Sequence, residues 1–295
     1  LVGGIRKRRM KDKLIPKGSN ALAKVGKSLA ITNKLIKEID SREVVPADDF
    51  RVPIPDENFR KYLLVGHDIE NDGATVAYGD VKNFIWFDCS HSLESDTNEL
   101  SILPRVHKRI AEEKAIKSLE GIQYFTALET LNCPNNQLTS LDVSKNTALE
   151  VLECGNNQLT SLDVTKNTAL QYLYCTGNQL TSLDMSPNTA LTLLVCFKNK
   201  LTSLDVSKNT ALTFLMCGKN NLTSLDMSPN TALTLLCCSN NQLTSLDVTK
   251  NTALKVLKCS KNQLTSLDLS NNHSLNKVVL RGNPGIWWEE LERRE

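Results

Sequence analysis

No apolar run in the 295-residue chain approaches the ~18 residues that a membrane-crossing helix needs, so no helical span is expected. The formal net charge is only +2, which names no class of partner. The four histidines, His67, His91, His107 and His273, are scattered, and none stands at metal-ligand spacing from another. A glycine-rich phosphate loop is missing, and so is a G-x-S-x-G nucleophile elbow. With the usual signatures of catalysis absent, the chain is expected not to be an enzyme. The opening LVGGIRKRRM has no apolar h-region; a leader already removed and a start inside a longer protein both fit it.

Cysteine, by contrast, is present in a pattern. The nine cysteines are an odd number, and small secreted scaffolds space theirs irregularly around loops. Here Cys133, Cys154, Cys175, Cys196, Cys217, Cys238 and Cys259 follow one another every 21 residues. The surrounding frame is Leu128-x-x-Leu131-x-Cys133-x-x-Asn136-x-Leu138, and it returns up to Leu254/Leu257/Cys259/Asn262/Leu264. A degenerate eighth unit reads Leu275/Val278/Leu280/Asn283, with Leu280 where cysteine stood. A period of 21 with this frame is the leucine-rich-repeat pattern.

The physics of each ladder follows from stacking. One short strand per unit pairs in parallel with the next at ~4.8 Å, and alternate side chains turn into the core. Cysteine there acts as a small hydrophobe. Parallel Cα–Cβ vectors ~4.8 Å apart exceed the ~3.5–4.5 Å between Cβ atoms that a disulfide wants, so buried free thiols are expected. Zinc needs converging ligands, which a straight row cannot supply. Asn136 and its successors are expected to satisfy the backbone groups that the turn exposes. The aspartates of the repeated SLD triplet, Asp142 to Asp268, have two readings: calcium ligands on the far side, or acceptors for the amides of the following turn. Local turn chemistry favours the second.

Outside the repeats the chain changes character. Residues 1–45 hold twelve Lys/Arg against four Asp/Glu, and SNALAKVGKSLAITNKLIKEID has apolar residues at roughly helical spacing. Such a basic amphipathic arm can meet anionic lipid, nucleic acid or a partner, dock on its own cap, or serve as a linker. IPDENFRKYLL reads as a short helix. The loop after it places Asp68, Glu70, Asp72 and Gly73 at positions one, three, five and six of a calcium-binding EF-hand loop. Thr75 at position eight and Gly79 at position twelve break that match, so calcium would be held weakly if at all, and no cofactor is expected. VKNFIWFDCS reads as a strand with Cys89 as a stray member of the cysteine position, 90–115 as an insert with a helix over 104–115, and IKSLEGIQYFTAL as a lead-in with Leu119, Ile122 and Phe125 inward. At the end, Trp287, Trp288 and Leu291 are expected to cover the last rung.

IPDENFRKYLL, the DIENDG loop, SLEGIQYFTALETLNC and the NNQLTSLDVSKNTAL units together resemble bacterial leucine-rich-repeat surface proteins, internalin-like in the broad sense, over about residues 52–290. The resemblance implies export to the cell surface or secretion, and binding of other proteins. The altered acidic loop, the insert and the basic arm depart from it, and the arm leaves an intracellular location open. The expected organisation is a basic arm (1–45), a small helical N-terminal cap with the calcium-like loop and insert (46–127), an α/β-type repeat solenoid in the leucine-rich-repeat horseshoe form (128–283) and a C-terminal cap (284–295).

In that architecture the single parallel sheet lines the concave face, and its outward residues can be read from the frame. Units three to six are expected to present Tyr172, Tyr174, Leu193, Val195, Phe197, Phe214, Met216, Leu235 and Cys237 together. Nine such side chains should form a larger apolar patch than a soluble monomer normally leaves bare, with the aromatic and Met content of an interface core. Glu150 and Glu153 flank it on one side, Lys255, Lys258 and Lys261 on the other. The expected partner is a protein on this concave face. The rival is an assembly in which residues 1–45 anchor the chain to nucleic acid or an anionic surface. A β-favourable surface without a partner is the plain alternative.

Overall fold

The computed structural model describes residues 51–67, 75–77, 86–89, 115–286 and 290–292. The arm at 1–45, the loop residues Asp68, Glu70 and Asp72, the helix expected over 104–115 except Ala115, and Trp287 and Trp288 lie outside those residues.

The described chain opens with β1 (Arg51–Pro53), helix α1 (Glu57–His67) and β2 (Thr75–Ala77), which pairs antiparallel with β1. Helix α1 starts where Asp56 caps it: Oδ1 accepts from the amides of Asn58 at 2.9 Å and Phe59 at 3.0 Å. The other oxygen of Asp56 accepts from Lys117 at 2.8 Å and Ser118 at 3.1 Å. One carboxylate therefore ties the helix to the approach to the repeats. Phe59 and Leu63 are fully buried, and the Phe59 ring stands 6.3 Å from that of Phe125, centroid to centroid. Gly121 has φ +105°, and a Cβ there would lie 2.8 Å from the Pro53 carbonyl oxygen, so only glycine lets the 3₁₀ turn Ile122–Tyr124 close against β1.

The main sheet has ten strands in strict chain order. After β3 (Trp86–Asp88) come β4 (Thr130–Asn132), β5 (Val151–Glu153), β6 (Tyr172–Tyr174), β7 (Leu193–Val195), β8 (Phe214–Met216), β9 (Leu235–Cys237), β10 (Val256–Lys258), β11 (Lys277–Val279) and β12 (Glu290–Glu292). From β3 to β11 every pairing is parallel; between β4 and β11 each residue faces the one 21 places on. β12 closes the row antiparallel to β11. The sheet thus extends one strand beyond the repeats at each end. β3 pairs Phe87 with Leu131 and Asp88 with Asn132, so Cys89 takes the place of a ladder cysteine, and its amide donates to the Asn132 carbonyl at 2.7 Å. The insert therefore separates two rungs that are neighbours in space. Leu119, Ile122 and Phe125 are buried as expected.

Each strand has only three residues, because the unit must turn twice more within its period to rejoin the stack. The middle leucines, Leu131 to Leu257, and the ladder cysteines are fully buried, and none of the cysteines is in a disulfide. Burial pushes the thiols of Cys154, Cys175, Cys196 and Cys217 well up. For Cys238 a sulfur hydrogen bond with Cys259 contributes most and burial next.

Two asparagine ladders stitch the turns. Asn157 donates to the Cys133 and Cys154 carbonyls, both at 3.0 Å, and its Oδ1 accepts from the Leu138 amide at 3.0 Å. One side chain thus bonds its own rung and the rung before it. The second ladder lies in the NTAL segment: Asn167 donates to Val143 O at 3.0 Å and Asn146 O at 2.7 Å, and the pattern runs to Asn272. The aspartates do what turn chemistry favours. Oδ1 of Asp142 accepts from the Ser144 amide at 2.9 Å, and Asp163 to Asp268 repeat the bond two residues ahead.

Candidate functional site

The parallel register builds the strand face row by row. One row runs Thr130, Val151, Tyr172, Leu193, Phe214, Leu235, Val256, Lys277; the other runs Asn132, Glu153, Tyr174, Val195, Met216, Cys237, Lys258, Val279. Because side chains alternate along a strand, both rows point away from the leucine core. All nine expected patch residues fall on adjoining rungs β6 to β9 or, for Phe197, just after one.

Their exposure is uneven. Phe214 is 37 % exposed and is the one large hydrophobic of that exposure among the described residues. Tyr172, Tyr174, Val195, Phe197, Met216 and Leu235 are half-buried. Leu193 and Cys237, expected to be open, are corrected: they retain only 5 % and 8 % of their surface. Rungs ~4.8 Å apart let outward side chains lean on their row neighbours. Leu193 sits between Tyr172 and Phe214, and Cys237 between Met216 and Lys258, so larger side chains cover each from both sides. Burial raises the Cys237 thiol, more than the Lys258 ammonium lowers it, so it is not an activated nucleophile. The Tyr174 hydroxyl is likewise pushed up, first by burial, then by Glu153 and Tyr172.

Phe197 shows how the patch is shaped at its turn edge. Its ring lies over Gly218 on the next rung, where an added Cβ would come 3.2 Å from the ring and 2.8 Å from the Ser239 carbonyl. The missing side chain makes the shelf on which the ring rests. Lys219 then reaches over the same ring, its Nζ 5.2 Å from the centroid. Neither Gly218 nor this cation–π contact was foreseen. The signal was the Gly-Lys pair one unit after Phe-Lys, visible only once the rungs are overlaid.

The opposite flank offers a depression of 240 Å³, lined by Ser182, Leu183, Asp184, Ser186, Ser203, Asp205 and Lys208. Its two carboxylates already accept from the amides of Ser186 and Ser207, and it is the trough between equivalent turns of successive units. Among the described residues, no group of three His, Cys, Asp or Glu is arranged to hold a metal.

Comparison with known proteins agrees with this geometry. The family model for leucine-rich repeats, in its two-copy form, matches residues 126–167 and 147–188. Among solved structures, internalin C2 of Listeria monocytogenes is similar at 20 % identity, covering 79 % of this chain and 100 % of that one, with a TM-score of 0.65. A leucine-rich-repeat protein of Leptospira interrogans matches at 27 % identity over 58 % of this chain and 47 % of its own, TM-score 0.54. The functional domain of InlJ from Listeria monocytogenes, which includes a cysteine ladder, matches at 31 % identity over 79 % of this chain, TM-score 0.45. The chain spans 57 % of that domain. No curated protein matches. The chain is a leucine-rich-repeat solenoid that resembles bacterial internalins, as its motifs implied.

Proposed function

We propose that this chain is a non-enzymatic protein-interaction module, of the surface-exposed or secreted adhesion type, that binds a protein ligand on the strand face of its solenoid. The observation that carries the reading is the apolar cluster across β6 to β9, centred on Phe214. A soluble surface rarely keeps so many large apolar side chains adjoining one another, and aromatic residues with methionine are what interface cores enrich. Likeness to internalins supports a place at or outside the cell surface.

The test is a pull-down from source-cell and host lysates, read by mass spectrometry, with wild type, Phe197→Glu/Phe214→Glu and a control, Thr202→Glu/Thr223→Glu, on the opposite flank. A protein captured by wild type and control but not by the phenylalanine variant supports the reading. Equal capture by all three, lost on deleting residues 1–45, moves the function to the basic arm. Binding of that arm to nucleic acid would weaken steeply with salt.

A further inference from the structure

The strand face is electrically polarised along the stack. Glu129, Glu150 and Glu153 stand on the first two repeat rungs, β4 and β5. From β7 to β11 every charged residue on the face is a cation. Lys198 and Lys219 follow β7 and β8 at the turn edge, and both are exposed. The rung of β10 carries three lysines: Lys255 and Lys261 exposed, Lys258 half-buried in the outward row. The rung on one side offers Thr234, Leu235, Cys237 and Ser239, and that on the other Asn276, Lys277, Val279 and Arg281. Neither flanking rung supplies a carboxylate. Beyond β11, the register pairs Lys277 with Glu292 and Val279 with Glu290 on β12.

The band of β10 begins about 10 Å, two strand spacings, from Phe214. Apolar neighbours such as Leu235 exclude water when a partner docks, which strengthens any charge pair formed at their edge. Resting on the strand-face reading above, we infer that the partner is a protein segment with an apolar or aromatic anchor over β6 to β9 and carboxylates running on over β10. Glu150 and Glu153 set its direction, because the reverse orientation would bring those carboxylates against the acidic end.

The probe is a random-peptide phage library selected on the full chain, with enriched peptides then measured against Lys255→Glu/Lys258→Glu and Phe197→Glu/Phe214→Glu. Peptides that pair an aromatic residue with Asp or Glu, and bind the lysine variant about tenfold more weakly or worse, are expected. Lys255→Gln/Lys258→Gln, gentler on folding, should fall between. Uncharged or basic peptides, equal binding to the lysine variants, or no enrichment at all would overturn the inference. Such peptides lost only on the phenylalanine variant would leave the strand face standing without its charge preference, whereas binding unchanged by both variants would remove both. Sedimentation showing self-association that Lys255→Glu/Lys258→Glu abolishes would instead assign the face to a second copy and refute the acidic partner.

Discussion

Two surfaces of the solenoid are both open to solvent, yet the repeats treat them differently. On the return flank the same residues come back unit after unit: Thr139 to Thr265 without exception, and the aspartates from Asp142 to Asp268. On the strand face the corresponding positions read Thr, Val, Tyr, Leu, Phe, Leu, Val and Lys in one row, with no rule between neighbours. Uniformity on the flank has a local cause, since each aspartate makes the same bond to the turn after it and each buried asparagine beneath makes the same pair of bonds. The strand's backbone needs are met by the ladder whatever the outward side chains are. Variation is therefore permitted there, and the proposed contact with a partner rests on the apolar cluster in those permitted positions.

That contrast can be broken from either side. The largest effect should come from under the uniform flank: Asn209→Ala removes bonds of 2.9 Å to Met185 O and 2.8 Å to Asn188 O. Two buried carbonyls lose a partner, roughly 2–4 kcal/mol in urea unfolding; a loss below about 0.5 kcal/mol would mean that the flank's uniformity is not structural. Cys196→Ser should cost on the order of 1–3 kcal/mol by burying a hydroxyl in the thiol row, and a neutral result would contradict the apolar packing of that ladder.

Acid should act on the flank and spare the strand face. Hydrogen bonds from the residue two places on hold Asp163, Asp184, Asp205 and Asp247 below the usual carboxylate range. The unfolded chain takes up those protons at higher pH than the folded one. Their stabilisation is therefore complete above about pH 4 and is lost as pH falls further. Asp184→Asn/Asp205→Asn should flatten thermal-melt pH dependence below pH ~4 and lower the midpoint slightly at neutral pH, where the wild-type carboxylates contribute in full, so that the two proteins converge in acid. An unchanged slope would show that these carboxylates titrate alike in both states. The patch should be less sensitive than the buried ladders: Phe214→Ala should cost about 1–2 kcal/mol in the same unfolding assay, because the ring is already partly in water.

The fold was largely legible because a 21-residue ruler leaves one stacking solution. Cys133, Asn136 and Asp142 each occupy the place that their chemistry suggested. The patch was legible as a direction, since alternation along a strand is a period of two. It was not legible as exposure: Leu193 and Cys237 face outward yet are covered, and that depends on the size of residues 21 positions away on either side. The Asn146 ladder escaped notice because its signal, an asparagine before Thr-Ala-Leu, looks like any turn residue until its burial is known. The sheet's continuation to β3 was hidden by the insert, which breaks the ruler without breaking the stack.

The most direct test of the claim that the strand face is the working surface is site-specific photo-crosslinking. A benzophenone amino acid would replace Phe214 in one protein and Thr202, on the return flank, in another. A captured protein crosslinked from position 214 and not from 202 is the predicted result. Crosslinks from 202 alone would contradict it and place the partner on the uniform flank.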